Sequence, residues 1–354
     1  MNILSVNNPE EIAKELKTIS LRYVSDTSPG IIRQKRGKGF VYLKNNEIIT
    51  DPNVKKRIDN LVIPPAWKDV WISPTDNGHI QATGRDEKGR KQYIYHTAWN
   101  KLMQQNKFNK MIFFGDVLPE IRREILAGMN ERGLTQRRII TTIIWLVGKT
   151  YIRIGNEEYA AENQSYGLTT MRMKHVDVKG DTIHFDFKGK SGKFHSVEVE
   201  HPQVAKTIKR LEELPGYELF QYVDSEGERH TVTSDEINEY LQKLTGEEIT
   251  AKDFRTWGGT VYAAKSLYDD GLFHNRKEAR KNIAKAIKQV SMHLGNTTAV
   301  CRAYYIHPTV IKTYEKKELI PYFAACKNDY TTGKGLSLNE YSVHRLIKKY
   351  AKPQ

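Results

Sequence analysis

Two adjacent tyrosines lie in the segment HLGNTTAVCRAYYIHP, where the pattern predicts a loop followed by a helix that carries Tyr304 and Tyr305. A tyrosine hydroxyl has a pKa of about 10, so it is mostly protonated at neutral pH. It attacks phosphorus only where cationic neighbours or a proton acceptor activate it. The chemistry open to this segment therefore depends on which cations the fold brings to it.

Three cations occupy settings that could supply this activation. Arg153 is predicted at the end of an apolar helix in YIRIGNEEY, Lys190 in the tight turn FKGKSGK, and Arg255 at a helix start in KDFRTWGG. Taken singly, each is typical of a charged surface residue. Their ordered combination with a tyrosine is the feature that points to phosphate chemistry.

The elements before residue 97 are predicted to be mostly strands. An amphipathic helix in NPEEIAKELKTISLRYVSD comes first, and GKGFVYLKNNEIITD then alternates as a hairpin that turns at Asn45-Asn46. Further short strands are expected in WKDVWISP, GHIQATGRD and RKQYIYHTA, with a helical turn near DPNVKKRIDNL.

From residue 97 the hydrophobic period becomes helical. The predicted helices AWNKLMQQNKFNKM, LPEIRREILAGMNERG and TQRRIITTIIWLVGKTYIRIG precede an antiparallel insert within TTMRMKHVDVKGDTIHFDFKGKSGKFHSVEVE, and helices then return. The sequence therefore predicts an α+β chain. A small, mostly β N-terminal domain covers residues 1–96, and a larger, mainly α catalytic domain with a three-stranded β insert covers residues 97–354.

The chain is strongly basic, with 56 Lys and Arg against 42 Asp and Glu, a formal net charge of +14, and 19 tyrosines. Such a surplus favours a polyanionic partner such as nucleic acid, although a soluble protein can be basic without one. Basic runs lie in both predicted domains, in RQKRGKG, NVKKR, RDEKGRKQYIYH and RKEARKNIAKAIKQ.

One of these runs combines charge with aromatic residues. Period-two alternation places Tyr93 and Tyr95 on one face of a strand and Gln92 on the other, just after Arg90. Basic groups beside paired aromatics suit contact with phosphates and base edges. The same pattern is also typical of a half-buried strand with both tyrosines on its inner face.

Several classes of protein are excluded by what the sequence lacks. The sequence contains no run of about 18 apolar residues, so no membrane span is expected. The segment MNILSVNNPEEIAKELK lacks the basic region and the long apolar region of a secretory signal. Two cysteines, Cys301 and Cys326, are too few for a disulfide framework and favour a reducing cytosol. Neither HExxH nor GxxxxGK[ST] occurs, so we expect neither a protein-built metal site nor a P-loop for ATP.

The ordered blocks resemble the type IB DNA topoisomerases, in particular their small poxvirus-type and bacterial branch. In the first domain GRDEKGRKQYIYH resembles a strand pair of that family. In the second domain the matching blocks are IRIGN, YGLTTMRMKHV, FKGKSGK, KDFRTWG and GNTTAVCRAYYIHP. The resemblance covers most of the chain and implies a catalytic core related to that of the tyrosine recombinases.

Matched by position, the resemblance implies a role for each site residue. Tyr305 falls on the nucleophile, which forms a 3′-phosphotyrosyl bond and expels a 5′-hydroxyl. Arg153 and Arg255 fall on the arginines that hold the non-bridging oxygens. Lys190 falls on the general acid for the leaving oxygen, and Lys252 on a basic position near the scissile phosphate. The resemblance implies no metal and no ATP, because arginines neutralise the charge and the phosphotyrosine conserves the bond energy.

One position departs from the poxvirus pattern, which has a histidine nine residues before the nucleophile where this chain has Asn296. An amide donates a hydrogen bond to a phosphate oxygen but carries no charge. We therefore expect a weaker contact and a flatter acid-side pH profile. The spacing from Asn296 and the following IHP favour Tyr305 over Tyr304, which is expected to have a packing role.

The resemblance also implies relaxation of supercoiled double-stranded DNA by a clamp, with the β domain on one face of the duplex and the catalytic domain on the other. Arg90, Gln92, Tyr93 and Tyr95 match DNA-contacting positions of the family. We expect a monomer of bacterial origin, in the cytoplasm and associated with the nucleoid, with no membrane or nucleotide cofactor as partner.

Two other functions stay open at this point. A tyrosine recombinase would use the same nucleophile, but its usual His-x-x-Arg is replaced here by Lys252-Asp253-Phe254-Arg255, and its N-terminal domain is helical. A non-enzymatic basic DNA-binding protein would explain the charge and the aromatics, but not the ordered cations and Tyr305.

Overall fold

The computed structural model describes residues 9–331 and 335–351. The chain divides into two compact units, Met1–Lys107 and Phe108–Gln354. The division falls within a long helix that begins at Thr97. The mixed α+β class is confirmed, with a β-sheet in the N-terminal unit and a mainly helical second unit, whereas the domain boundary at residue 96 stays a prediction.

The N-terminal unit is built on one antiparallel sheet, in the order β3-β2-β1-β4-β5-β6. Its strands are β1 (Ile31–Arg36), β2 (Gly39–Lys44), β3 (Glu47–Ile48), β4 (Lys68–Ile72), β5 (Ile80–Arg85) and β6 (Lys91–Tyr95). The predicted hairpin turns at Asn45 and Asn46, whose φ values of 52° and 66° suit the twist of a two-residue hairpin.

Two helices accompany this sheet, α1 (Pro9–Thr18) and α2 (Pro52–Asn60). The side chain of Asp51 accepts a hydrogen bond from the Asn53 amide and caps α2, so the predicted helical turn is a full short helix. Ile58 of α2 packs into a small core with Ile31, Ile72 and neighbouring apolar residues.

The second unit is mainly helical. Its helices are α3 (Thr97–Met129, shared with the first unit), α4 (Gln136–Thr150), α5 (Glu157–Asn163), α6 (Pro202–Glu212), α7 (Ser234–Thr245), α8 (Ala251–Asp270), α9 (Arg276–Leu294), α10 (Thr298–Tyr304), α11 (Pro308–Glu315), α12 (Leu319–Asp329) and α13 (Leu338–Tyr350). The predicted three-stranded insert is confirmed, with strands β7 (Val176–Lys179), β8 (Thr182–Lys188) and β9 (Phe194–Glu200). A small hairpin of β10 (Gln221–Val223) and β11 (Arg229–Thr231) completes the unit, and neither this hairpin nor α5 was expected.

Helix α3 is one continuous helix where the sequence predicts two. Pro119 lies inside it, and an internal proline removes one backbone bond and crowds the carbonyl four residues earlier. The helix continues because Phe114, Leu118, Ile121 and Ile125 keep one buried face on both sides of the proline.

The core of the second unit is one large apolar cluster, to which α3, α4, α8 and α9 each contribute several buried side chains. Within the described residues, no helix combines the length and the apolar character that crossing a membrane requires.

Candidate active site

Arg255 lies in the second turn of α8, near the helix start where the sequence predicts it. The helix begins at a capping box in which Thr250 donates from its amide to the Asp253 carboxylate at 2.8 Å. Only 4% of Arg255 is exposed. Its Nη1 donates to the main-chain oxygen of Tyr151, and its Nη2 donates to that of Leu294 at 2.8 Å. Burial, and then the positive charge of Arg153, lower the pKa of Arg255.

Arg153 does not end a helix, as the sequence analysis expected. Helix α4 ends at Thr150 because Tyr151 adopts a left-handed φ of 54°. Arg153 therefore lies in the extended segment that follows, where its main-chain oxygen accepts from the Leu168 amide at 2.9 Å. The exit from α4 lets the guanidinium reach Asn296, to whose Oδ1 it donates from Nη2. Burial lowers the pKa of Arg153.

Asn296 follows the left-handed glycine that ends α9, Gly295, with a φ of 61°. Its amide nitrogen donates to the main-chain oxygen of Ser291 at 3.0 Å, which fixes the turn. Because Oδ1 accepts from Arg153, the Nδ2 group of Asn296 is turned elsewhere, and it has no partner among the described residues. This amide is oriented to donate one further hydrogen bond.

Tyr305 caps the C-terminus of α10 and is held through its main chain. Its amide donates to the Cys301 oxygen at 2.9 Å, and its oxygen accepts from the Thr260 hydroxyl of α8 at 3.3 Å. A side chain on Gly259 would clash, since an added Cβ would lie 2.7 Å from the Tyr305 oxygen. The Tyr305 ring is half-buried, with the Arg255 Cζ atom 5.5 Å from its centroid. Tyr304, in contrast, is 53% exposed.

Lys190 lies in the turn between β8 and β9, as predicted. The turn is closed by the Gly189 amide, which donates to the Lys193 oxygen at 2.7 Å. Ser191 and Gly192 both have positive φ, 63° and 73°, which produces the tight reversal. The lysine side chain is exposed at the tip of this turn.

One cavity of about 430 Å³ is lined by most of the candidate catalytic side chains. Arg153, Lys190, Lys252, Arg255 and Tyr305 all line it, although they come from four separated stretches of the chain. Asn296 joins the set through its hydrogen bond with Arg153. The fold therefore brings together the residues that the sequence analysis selected as candidate catalytic residues. Among the described residues, no group of three or more His, Cys, Asp or Glu side chains could hold a metal ion.

His195 belongs to this neighbourhood and was missed by the sequence analysis. Its ring stacks on Phe187 at 5.2 Å and lies between two glycines. A Cβ added to Gly189 would be 2.6 Å from its Cδ2, and one added to Gly295 would be 2.3 Å from its Cε1. Burial, with Arg153 and other cations, lowers its pKa, so the imidazole is neutral at pH 7. The alternation of FHSVEVE, in which Val197 and Val199 face inward, is the sequence signal that could have placed His195 on the inner face.

Three buried side-chain nitrogens at this site have no hydrogen-bond partner in the described part of the chain. They are Asn296 Nδ2, Arg255 Nε and His195 Nε2. Buried polar groups are normally paired, and an unpaired one marks a position where a partner is expected. The unpaired Asn296 amide and Arg255 guanidinium donors, with Arg153 beside them, form the electrostatic environment of an anion site.

Comparison with known proteins decides the family. Residues 96–325 match the family described as the catalytic core of eukaryotic DNA topoisomerase I, and residues 39–86 match the N-terminal domain of bacterial DNA topoisomerase IB. The chain belongs to the type IB DNA topoisomerases. The DNA topoisomerase 1B of Acanthamoeba polyphaga mimivirus is 35% identical to it over 309 residues, which cover 85% of this chain and 91% of the viral protein.

A second viral relative is more distant. The DNA topoisomerase 1B of vaccinia virus is 23% identical over 243 residues, covering 67% of this chain and 73% of that protein. Among solved structures, the XerH site-specific recombinase bound to its difH substrate has a TM-score of 0.31 and 17% identity over 62% of this chain and 55% of its own. That likeness is too weak to support an argument. The family predicted from the ordered blocks is confirmed.

The β-rich unit of this topoisomerase exposes its paired tyrosines. The rings of Tyr93 and Tyr95 stack at 5.7 Å with an angle of 9°, and their exposures are 42% and 37%. Ile94, between them, packs against the small core instead. The alternative of a strand with both tyrosines on its inner face is therefore wrong.

Arg90 and Gln92 share a partner that the sequence analysis did not identify. The Arg90 guanidinium forms an ion pair with Asp86 Oδ2 at 2.7 Å, and Gln92 Nε2 donates a hydrogen bond to the same oxygen at 3.1 Å. One carboxylate therefore orients both side chains. Their contact with DNA stays a prediction.

Proposed function

We propose that this protein relaxes supercoiled duplex DNA through a transient single-strand break. The observation that supports this most directly is the single cavity lined by Tyr305, Arg153, Arg255 and Lys190. A nucleophile, two guanidinium groups and an ammonium group around one cavity are the groups needed for transesterification at a phosphodiester.

In the cleavage step, Tyr305 Oη forms a bond to phosphorus and passes its proton to solvent water, and the bond from phosphorus to the 5′ oxygen breaks. Lys190 donates a proton to that oxygen, which leaves as a 5′-hydroxyl. The products are a 3′-phosphotyrosyl bond and a free 5′ end, about which the duplex swivels. Religation is the reverse step, so the phosphodiester bond energy is conserved and no ATP is consumed.

Charge that develops on the non-bridging oxygens needs donors that are already in place. Arg153 and Asn296 Nδ2 are held against each other through Oδ1, so one oxygen can accept from both. Arg255, which lines the same cavity, contributes a buried positive charge. In this account the arginines perform the charge neutralisation that divalent metals perform elsewhere.

The nucleophile is Tyr305 rather than Tyr304. Tyr305 lines the cavity, and the centroid of its ring lies 5.5 Å from the Arg255 Cζ atom. Tyr304 is not part of the cavity lining and is the last residue of α10, where its side chain is mostly exposed.

The biological setting is also proposed. We propose that the enzyme acts as a monomer, because one chain supplies every group in the mechanism. We further propose a bacterial, nucleoid-associated cytoplasmic enzyme. The net charge of +14 and the match to a bacterial N-terminal domain support DNA association and this origin.

A plasmid assay tests the function. Purified protein is mixed with negatively supercoiled plasmid in EDTA without ATP, beside an Arg153→Ala variant. The proposal expects a ladder of relaxed topoisomers from the wild type and a loss of about 100-fold or more in the variant. A recombinase would need paired sites and would produce recombined circles, and a non-enzymatic binder would leave the supercoiling unchanged once the protein is removed. Either result contradicts the proposal.

A further inference from the structure

The turn that carries Lys190 also carries an aromatic side chain that the proposed chemistry does not use. Phe194 begins β9, and it is 84% exposed, the largest exposed fraction among the large apolar side chains of the described residues. Single exposed apolar residues are common on protein surfaces. Phe194 differs from such residues in its position and its neighbours.

The register of the hairpin fixes which way this ring points. Phe187 pairs with His195, and Lys188 pairs with Phe194. His195 is held on the inner face by its stack on Phe187, so Phe194 must point to the outer face. A slip of one residue would turn His195 and Val197 outward, which makes the exposure of Phe194 a built property of the hairpin.

Phe194 is also close to the proposed cleavage site. The bond from the Gly189 amide to the Lys193 oxygen closes the turn, and Phe194 is the next residue. Lys190, inside this turn, lines the cavity with Tyr305 and Arg255. The ring therefore lies at the base of the same short turn whose tip carries the proposed general acid.

The charge around the ring indicates its partner. Lys188, Lys190 and Lys193 precede Phe194 in FKGKSGKFHSV, a stretch without an acidic residue that lies between Asp186 and Glu198. Lysines beside an exposed aromatic ring suit a duplex groove, whose rims are lined by phosphates. Apolar side chains such as Phe enter the minor groove as wedges between base steps.

We propose that Phe194 enters the minor groove beside the cleaved phosphate and helps to select the base step that is cleaved. This inference rests on the proposed function, because it takes Lys190 to lie at the scissile phosphate. Pyrimidine–purine steps unstack most easily, so a wedge favours cleavage near them. Without the ring, cleavage is spread more evenly over the steps of a duplex.

The test compares cleavage patterns on one end-labelled duplex that contains all base steps. The variants are Phe194→Ala, Phe194→Trp and the control Tyr217→Ala, which removes another exposed aromatic (79%) from the same unit. We expect the ratio of the strongest to the weakest site to fall by about fivefold or more in Phe194→Ala. The tryptophan variant and the Tyr217 control are expected to keep the wild-type pattern.

The outcomes separate this inference from the function on which it rests. If the wild type forms no covalent adduct, the proposed function fails and the inference with it. If the wild type forms adducts and Phe194→Ala gives the same pattern, the function stands and the inference is overturned. Because the side chain is exposed, the variants are expected to keep the wild-type melting temperature, which circular dichroism checks.

Discussion

Arg255 donates from Nη2 to the main-chain oxygen of Leu294 at 2.8 Å, and this bond ties α8 to the turn that carries Asn296. Its Nη1 donates to the main-chain oxygen of Tyr151, just before Arg153. One buried guanidinium therefore orders both segments that carry the proposed phosphate donors. The planar fork of arginine makes this double anchoring possible.

The variant Arg255→Lys tests that double role. Lysine keeps the charge but cannot donate to both carbonyls in the fixed geometry of a fork. We expect single-turnover adduct formation to slow by about 100-fold or more, with unfolding free energy lower by about 1–3 kcal/mol. Arg345→Lys is a matched control, since Arg345 is half-exposed and ion-paired on α13. A wild-type cleavage rate in Arg255→Lys would show that the anchoring is dispensable.

Asn296 gives the site a predictable pH response. In Asn296→His, the positive charge of Arg153 would keep the imidazole pKa below its usual value. The protonated ring adds a charged donor, so the rate of the variant relative to wild type is expected to rise as pH falls from about 8 to about 5. Cleavage rates across this range measure the effect. A ratio that stays constant over the whole range would falsify the assigned contact with phosphate.

Alanine variants at Gly295 and Gly246 distinguish the cost of backbone strain from the cost of a clash with His195. Gly295→Ala places a Cβ 2.3 Å from His195 Cε1 at a φ of 61°. Gly246→Ala is the control, because Gly246 has a φ of 69° and nothing within 4 Å of an added Cβ. Each variant is expected to lose about 1 kcal/mol of unfolding free energy through strain, and Gly295→Ala is expected to lose more and to slow cleavage. Equal losses in both variants, with unchanged cleavage, would show that the His195 contact has no role in the site.

His307 is expected to contribute to acid sensitivity. Burial lowers its pKa to about 4, and its Nδ1 accepts from the Thr309 amide at 3.2 Å to cap α11. A histidine whose folded pKa is depressed binds protons in the unfolded state first, so stability falls as pH drops below about 6.5 towards 4. His307→Asn keeps a capping group without titrating, so its stability should fall less steeply over this window. Urea unfolding at several pH values measures the slopes, and parallel curves for both proteins would contradict the assignment.

Much of this fold could be predicted from local patterns. The Asn45-Asn46 hairpin, the three-stranded insert and the turn of Lys190 follow from alternation and turn residues alone. Helix α3 could not, because its passage through Pro119 depends on a buried face supplied by distant helices. Local propensity does not report such tertiary packing.

The candidate site was predicted by residue type and order, but not in its connections. Nothing in the sequence shows that Arg255 bonds to the carbonyls before Arg153 and Asn296, or that Asp86 orients Arg90 and Gln92. These contacts join positions far apart in the chain or depend on exact side-chain geometry. His195 was missed for the same reason, because its significance comes from the two glycines that it touches.

Covalent trapping determines which of the two adjacent tyrosines is the nucleophile. The wild type, Tyr305→Phe and Tyr304→Phe are each incubated with duplex DNA, and the reactions are stopped with detergent. Any covalent adduct is then digested and mapped by mass spectrometry. We predict a 3′-phosphotyrosyl peptide at Tyr305, no adduct in Tyr305→Phe, and an adduct in Tyr304→Phe. Loss of the adduct only in Tyr304→Phe, or its absence in wild type, would contradict the assignment of Tyr305 as the nucleophile.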